Sequence, residues 1–111
     1  MDRLAQYRES IKAFLRKYAE STINNSEVEV ELIFDTENDH YQILRVGWRN
    51  RTQVFLVVFH FYIKNDKIWI QQNASDYDIV GDLEARGIPK SDIVLAFHSP
   101  QMRPFTGYAV A

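Results

Sequence analysis

The chain contains no cysteine among its 111 residues, and it has only four glycines and three prolines. The absence of cysteine excludes disulfides, thiolate metal sites and a thiol nucleophile, and it fits a protein of the reducing cytoplasm. Because the glycines are scattered, the sequence has no glycine-rich phosphate loop and no Gly-x-Ser-x-Gly elbow. No apolar run approaches the length of a membrane span, so we expect no membrane contact.

The chain also lacks the excess of basic residues that is typical of free-standing DNA-binding domains. Its formal net charge is −2, whereas Lys and Arg contacts to phosphate supply most of the affinity for DNA. Charge is nevertheless segregated: residues 27–39 carry six acids and no base, and residues 40–72 carry five bases and one acid. We therefore expect any role on DNA to be indirect or to depend on local basic clusters.

Hydrophobic periodicity predicts one helix followed by four strands within a single domain spanning residues 1–111. Apolar residues at helical spacing indicate a helix from residue 1 to about 21, and a polar break at 22–27 follows it. Alternating or continuous apolar runs then indicate strands at 28–34, 41–48, 54–63 and 68–72. A turn at 49–52 and a two-residue turn at Asn65-Asp66 join consecutive strands into an antiparallel meander.

The last third of the sequence predicts a second helix and a tail. Residues 75–78 resemble a capping box, and Gly87 ends the helix before Pro89. Residues 92–97 fit either a short strand or a helical turn, and the tail from residue 99 is irregular. The expected fold class is α+β: an antiparallel β-meander of about four strands with an N-terminal helix packed on one face, a second helix and an irregular C-terminal tail.

A simple hairpin register assigns the strand residues to two faces. It pairs Ile43 with Val58, and strand alternation then places ten apolar residues beneath the first helix: Leu44, Val46, Trp48, Phe55, Val57, Phe59, Phe61, Ile63, Ile68 and Ile70. The second face collects Tyr41, Ile43, Arg45, Leu56, Val58, His60, Tyr62, Trp69 and Gln71. A one-residue slip would exchange the two sets.

The second face is too apolar for a solvated sheet face, so something should cover it. The second helix or the tail of the same chain is one alternative, and another subunit or partner is the other. The residues proposed for a protein interface are Tyr41, Ile43, Arg45, His60, Tyr62 and Trp69, since Tyr, Trp and Arg are enriched at interfaces.

Basic residues offer an alternative function, which is direct contact with nucleic acid. Arg8, Lys12 and Arg16 follow one another at four-residue steps along the first helix. Together with Arg45, Arg49 and Arg51 they could contact a phosphate backbone. The other interpretation is a solvated helix face whose long side-chain stems lie over apolar neighbours.

Signals for catalysis are weak, and we predict no catalytic residue, no metal site and no cofactor. His40, His60 and His98 lack the close spacing of zinc ligands, and the row Glu27, Glu29 and Glu31 is more typical of a solvated strand. Asp35, Asp39 and Lys64 have the residue types of a nuclease site, but nothing in the sequence places them together. An enzyme that uses His60 or His98 is the less favoured alternative.

Several short motifs in this order carry a family resemblance. They are Tyr7-Arg8, Thr36-Glu37-Asn38-Asp39-His40-Tyr41-Gln42, Val46-Gly47-Trp48, His60, Lys67-Ile68-Trp69-Ile70-Gln71, Pro89-Lys90-Ser91-Asp92-Ile93-Val94-Leu95 and Phe97-His98-Ser99-Pro100. Together they resemble the XisI-like family, the controlling factors for excision of the fdxN element in cyanobacteria.

The resemblance implies a cytoplasmic, non-enzymatic accessory protein that controls excision of a DNA element in heterocysts. It further implies protein–protein contacts with a recombinase and an XisH-like partner. We accordingly expect a homo-oligomer or a complex with an XisH-like protein, and DNA that is contacted indirectly.

Overall fold

The computed structural model describes residues 2–22 and 27–111, so most of the predicted polar break at 22–27 lies outside the described residues. The elements are α1 (Arg3–Ser21), β1 (Val28–Asp35), β2 (His40–Arg49), β3 (Thr52–Lys64), β4 (Lys67–Asn73), α2 (Ile79–Ala85) and β5 (Ile93–Leu95). Short 3-10 turns at Lys90–Asp92 and Arg103–Phe105 flank the last strand. This arrangement confirms the predicted α+β class.

The five strands form one sheet in the order β1-β2-β3-β4-β5. The first four are antiparallel neighbours, as the meander predicted, whereas β5 runs parallel to β4 and adds a strand to the predicted four. The two hairpins β2–β3 and β3–β4 close through Asn50-Arg51 and Asn65-Asp66, and all four of these residues have positive φ. Two-residue turns of this kind match the twist of the flanking strands.

Local side chains fix where the helices begin and end. Asp2 accepts a hydrogen bond from the backbone N–H of Ala5 at 2.8 Å and caps α1, while Asp78 accepts from Gly81 at 3.0 Å and caps α2. Asp78, the last residue of the predicted capping box, is thus the N-terminal cap, and α2 begins three residues later than a Ser75 cap would place it. Gly87 has φ of 90° and terminates α2, as predicted.

Both helices pack on one side of the sheet, which we call the helical face. Helix α1 contributes Tyr7, Ile11, Phe14 and Leu15 to the core, and α2 contributes Ile79 and Leu83. The sheet contributes Tyr41, Ile43, Val58, Phe59, Phe61, Ile68 and Ile70. Burial of these large apolar side chains supplies the main driving force for folding. The opposite side of the sheet, turned away from both helices, is called the open face.

A β-bulge in β3 overturns half of the predicted face assignment. Ile43 pairs with Phe59 and Leu44 pairs with Val57, so Val58 is an extra residue that has no partner on β2. The predicted pairing of Ile43 with Val58 was therefore wrong by one residue. Because side chains alternate with a period of two, this single insertion exchanges the faces on one side of the bulge.

The exchange affects all of β2 and the first half of β3. Leu44, Val46, Trp48, Phe55 and Val57, which were predicted to lie under the first helix, lie on the open face instead. Tyr41, Ile43, Arg45 and Leu56 lie on the helical face, and Tyr41 and Ile43 are fully buried there. The prediction that Tyr41 and Ile43 form a protein interface is wrong, because α1 and its neighbours already cover them.

Beyond the bulge the predicted pairing is correct. Phe61 pairs with Ile70 and Tyr62 with Trp69, so Phe59, Phe61, Ile68 and Ile70 lie in the core. A second register shift, between His60 and Phe61, leaves Gln71 unpaired on β4. His60, Tyr62 and Trp69 therefore lie on the open face, as predicted.

Gly47 allows β1 to lie close against the end of β2. A Cβ atom at this position would lie 1.9 Å from the carbonyl oxygen of Glu27 and 2.8 Å from the Cα of Val28. The neighbouring Trp48 N–H donates to that same oxygen at 2.9 Å. Only glycine leaves room for this approach, which holds the edge strand β1 against the end of β2.

Candidate interface on the open face of the sheet

An apolar strip occupies the open face of β1, β2 and β3. Its members are Ile33, Leu44, Val46, Trp48, Phe55 and Val57, which alternation and strand pairing place on the same side. Trp48 is 57% exposed, Phe55 is 66% exposed and Ile33 is 44% exposed. Contiguous exposed apolar surface of this kind is typical of protein interaction sites. We refer to these six residues as the open strip.

A row of aromatic rings continues the open strip toward the β3–β4 turn. The His40 ring lies 5.2 Å from Tyr62 in a stacked arrangement, and Tyr62 stacks on Trp69 at 5.6 Å. His40 Nδ1 lies 3.1 Å from His60 Nε2, so the two imidazoles are within hydrogen-bonding distance. Three of the predicted interface residues, His60, Tyr62 and Trp69, belong to this row.

The chain's own tail covers one end of the row. The Arg103 guanidinium lies 5.4 Å from the Trp69 ring centre, and the Lys64 ammonium lies 5.0 Å from it. Trp69 donates its indole N–H to the backbone oxygen of Lys64 at 2.9 Å and is 6% exposed. Arg103 is held by the backbone oxygen of His98 at 3.1 Å. Coverage by the tail therefore accounts for Trp69. Within the open strip Leu44 is only 6% exposed, whereas Ile33, Trp48 and Phe55 remain exposed.

The histidines do not assemble as a hydrolytic or metal site. The neighbour of His60 is His40, while the His98 ring lies 4.7 Å from Phe97 on the tail. Burial and the nearby His40 lower the pKa of His60. Within residues 2–22 and 27–111, no group of three or more His, Cys, Asp or Glu side chains is placed to hold a metal ion.

The candidate nuclease residues are also held elsewhere. Asp39 binds Arg8 and Tyr41, while Asp35 accepts hydrogen bonds from the backbone of Glu37 and from Asn38. Lys64 lies over Trp69 on the open face. The structure does not bring Asp35, Asp39 and Lys64 together around a common centre.

An apolar cavity of about 90 Å³ lies between the end of α1 and Tyr77, with Phe14, Lys17, Tyr18 and Ser21 completing its lining. Ligand pockets commonly enclose roughly 300–1,000 Å³. The cavity is therefore too small to serve as a substrate pocket of ordinary size.

Arg8, the first residue of the predicted basic helix strip, is held by a carboxylate. Its guanidinium donates twice to Asp39, at 2.8 and 3.1 Å, and the Tyr41 hydroxyl donates to the same carboxylate at 2.9 Å. Arg8, with Tyr41 in second place, lowers the pKa of Asp39 against the opposing effect of burial. Burial and the Asp39 carboxylate raise the pKa of Tyr41 to about 12.

The other basic side chains are divided between packing and solvent. Lys12 lies 5.9 Å from the Tyr41 ring centre and Arg16 lies 5.3 Å from that of Phe34, so their stems cover apolar neighbours. Arg45 is half-buried on the helical face. Among the described residues its buried Nε has no hydrogen-bond partner.

Three basic residues of the predicted set are exposed: Arg16 on α1, and Arg49 and Arg51. Arg49 and Arg51 lie at the β2–β3 turn, which is the end of the sheet farthest from the histidines. The six predicted bases therefore do not form one continuous basic surface.

The geometry defines a class of small α+β domain that covers one sheet face with helices and leaves the other largely bare. A family model described as XisI protein matches residues 1–110, so the chain belongs to the XisI family. No curated protein sequence matches the chain significantly.

Two solved structures from Anabaena variabilis ATCC 29413 are similar to this chain. The crystal structure of a XisI-like protein is 42% identical with a TM-score of 0.94, covering 97% of this chain and 99% of its own. The crystal structure of fdxN element excision controlling factor XisI is 35% identical with a TM-score of 0.88, covering 99% of this chain and 100% of its own. The five-stranded sheet with its helical layer is thus a fold shared with these proteins.

The described part of the chain contains no helix long and apolar enough to cross a membrane. Sequence reasoning placed His60, Tyr62 and Trp69 correctly but missed the open strip and the proximity of His40 to His60. Only the bulge at Val58 reveals both.

Proposed function

We propose that this chain is a non-enzymatic accessory factor that controls excision of a DNA element through protein contacts made by its open face. Its similarity to the fdxN element excision controlling factor supports a role in element excision. The exposed residues of the open strip support action through protein contacts. The observation that carries the proposal is the exposure of Trp48 and Phe55 side by side on a rigid sheet.

The binding partner that we propose for this face is a second copy of the chain. All six side chains of the open strip are uncharged, so the strips of two copies can meet without opposing like charges when Glu29 and Glu31, which pair with Val46 and Leu44, lie at the edge of the contact. A symmetric dimer interface must be self-complementary, and a neutral apolar patch satisfies that condition. The acids Glu29 and Glu31 flank the strip on β1, where they belong to a polar rim.

The dimensions of the face suit a stable dimer. Three strands spaced about 4.8 Å apart, with the ten residues of β2 rising about 3.3 Å each, give a flat footprint of roughly 500 Å². Side-chain relief adds to this figure. The footprint is thus of the same order as the roughly 800 Å² that each partner buries in an interface of standard size.

An XisH-like protein is the alternative occupant of the same face. In that case the dimer would be displaced, or would be absent until the partner is present. Contact with a recombinase would then pass through the assembled complex rather than through DNA.

Direct DNA binding has less support. Arg8 is neutralised by Asp39 and Lys12 lies over the Tyr41 ring, which leaves Arg16, Arg49 and Arg51 as the exposed bases of the predicted set. Three charges release few counterions, so the affinity expected from them is low. Binding of element-border DNA that falls steeply with salt, and that is lost in an Arg49→Ala, Arg51→Ala variant, would favour this alternative.

The proposal is tested by complementation of a strain that depends on an XisI-family factor for excision. The wild-type chain should restore excision and the Phe55→Asp variant should not, because the charge would face the partner. Leu56→Asp is the matched control, since Leu56 adjoins Phe55 but lies on the helical face and is 41% exposed.

Equal complementation by both variants would contradict the proposed use of the open face. Loss of excision in both variants, with folded protein present, would contradict the assignment of Phe55 as the specific contact. Circular dichroism of the purified variants establishes that both remain folded.

A further inference from the structure

The open face carries two histidines whose separation limits how many protons they hold. His40 Nδ1 and His60 Nε2 lie 3.1 Å apart, and their ring centres are 5.3 Å apart. A hydrogen bond between two imidazole nitrogens needs one N–H and one lone pair. The pair is therefore compatible with no positive charge or with one shared positive charge, whereas two charged rings would point two N–H groups at each other.

The surroundings of the pair allow the first proton and oppose the second. On β1 the paired residue of His40 is Asp35, whose pKa is lowered mainly by hydrogen bonds from Asn38, so it stays anionic near the pair. On β2 and β4 the neighbours of His60 are the uncharged Gln42 and Gln72, which pair with it across the strands. One carboxylate thus faces two imidazoles.

Two cationic groups lie at the far end of the row. Tyr62 stacks on His40, and beyond it Lys64 and Arg103 lie over Trp69. Burial and His40 lower the pKa of His60, in agreement with this arrangement of charges. A second proton on the pair would add to a local excess of positive charge at a half-buried position.

We propose that the His40–His60 pair is a proton switch that releases a second copy of the chain from the open face when both rings become charged. The inference rests on the proposed docking of that copy. The pair lies between the open strip and the tail, so a partner that covers the strip also covers the imidazoles and removes water from them. Desolvation makes two adjacent charges more costly in the dimer than in the free chain, so acid shifts the equilibrium to the monomer.

The sign of the effect follows from linkage. The free chain binds the second proton more readily than the dimer does, so association is favoured at a pH above the second protonation step and weakens below it. One additional proton bound per dissociating chain reduces the association constant about 100-fold per pH unit, because each dimer releases two chains.

The first measurement is a ring-nitrogen NMR titration of the ¹⁵N-labelled chain. We expect His40 and His60 to titrate as a pair in two coupled steps, because their ring nitrogens lie 3.1 Å apart. In His60→Gln, whose side chain is uncharged, His40 should titrate in a single step. Independent single steps for both rings of the wild-type chain would overturn the switch.

The second measurement is self-association by light scattering between pH 5 and pH 8. The wild-type chain should dissociate as the pH falls through the second step, whereas His60→Gln should remain associated. If self-association of the wild-type chain and of His60→Gln depended on pH in the same way, the switch would be refuted, but the docking surface would not be. A chain that is monomeric at every pH would refute the docking surface and the switch together, although the coupled titration would still be seen.

Discussion

Two phenylalanines on β3 provide the sharpest test of the bulge and of the two faces that it creates. Phe55 and Phe59 are four residues apart on one strand, so an unbroken strand would place them on the same side. With the extra residue Val58 between them, Phe59 is fully buried under α1 while Phe55 is 66% exposed on the open face. Replacement of each by alanine should therefore give very different losses of stability.

The magnitudes follow from the burial of each ring. Phe59 lies 5.1 Å from Phe14 and 5.0 Å from Tyr18, both edge to face, so Phe59→Ala leaves a cavity and should cost about 3–5 kcal/mol. Full burial of a phenylalanine side chain contributes roughly 1.5–3 kcal/mol, and Phe55 buries about a third of its surface. Phe55→Ala should then cost about 0.5–1 kcal/mol in the free chain.

Urea unfolding followed by circular dichroism measures both free energies. The protein concentration must be low enough to keep the chain monomeric, because association would add to the apparent stability. Equal costs for Phe55→Ala and Phe59→Ala would refute the bulge and the face assignment. A large cost for Phe55→Ala with a small cost for Phe59→Ala would show that Phe55, and not Phe59, is the residue buried under α1.

Three further perturbations probe the elements that position the site. Gly47→Ala forces a Cβ atom against the Glu27 carbonyl oxygen and should lower the free energy of unfolding by about 2–4 kcal/mol. Gly107→Ala is the control: its Cβ meets no atom within 4 Å, so it should cost only the roughly 1–2 kcal/mol of a left-handed backbone. Equal urea midpoints for the two variants would contradict the close approach of β1. The pKa of Asp39 in the folded chain is lowered, mainly by its hydrogen bond with Arg8. The carboxylate therefore contributes its full stabilisation above the unfolded-state pKa and loses it as the pH falls through the folded-state pKa. Asp39→Asn should remove this acid-dependent part of the unfolding free energy. Unfolding curves from pH 2 to pH 7 check this, and an unchanged slope would refute it. Asp78→Ala should cost about 1 kcal/mol in thermal unfolding through loss of the α2 cap, and a neutral effect would show that the Gly81 bond contributes nothing.

Much of the fold follows from local sequence signals. Alternating polar and apolar residues in β1 and the Asn-Asp turn between β3 and β4 specify hairpins with little help from the rest of the chain. Asp78 and Gly87 likewise mark the start and end of α2. These signals depend on neighbouring residues, and the structure agrees with them.

The face assignment could not be obtained in the same way. Residues 54–59 of β3 are all apolar, so alternation gives no mark of which side is buried, and a bulge within such a run has no signature. The closeness of His40 and His60 depends on the register across that bulge. Strand β5 has three residues, too few for a periodic signal, and its parallel pairing with β4 depends on the packing of α2.

The candidate site shows the same division between local and long-range information. The hairpin register across the Asn65-Asp66 turn, combined with strand alternation, correctly placed His60, Tyr62 and Trp69 on one face. The same reasoning failed for Tyr41, which is buried in the core and bonded to Asp39 through its hydroxyl. The residues of the open strip other than Ile33 were mistaken for core residues because their side chains are as apolar as those beneath the helices.

The central claim is that the open face binds a second copy of the chain. Light scattering after size exclusion near neutral pH, at several concentrations, tests it most directly, since one chain has a mass of 13.1 kDa. We predict that wild type and Leu56→Asp elute with about twice that mass and that Phe55→Asp elutes as a monomer. A wild-type chain that remains monomeric at every concentration, or a Phe55→Asp variant that still dimerises, would contradict the claim.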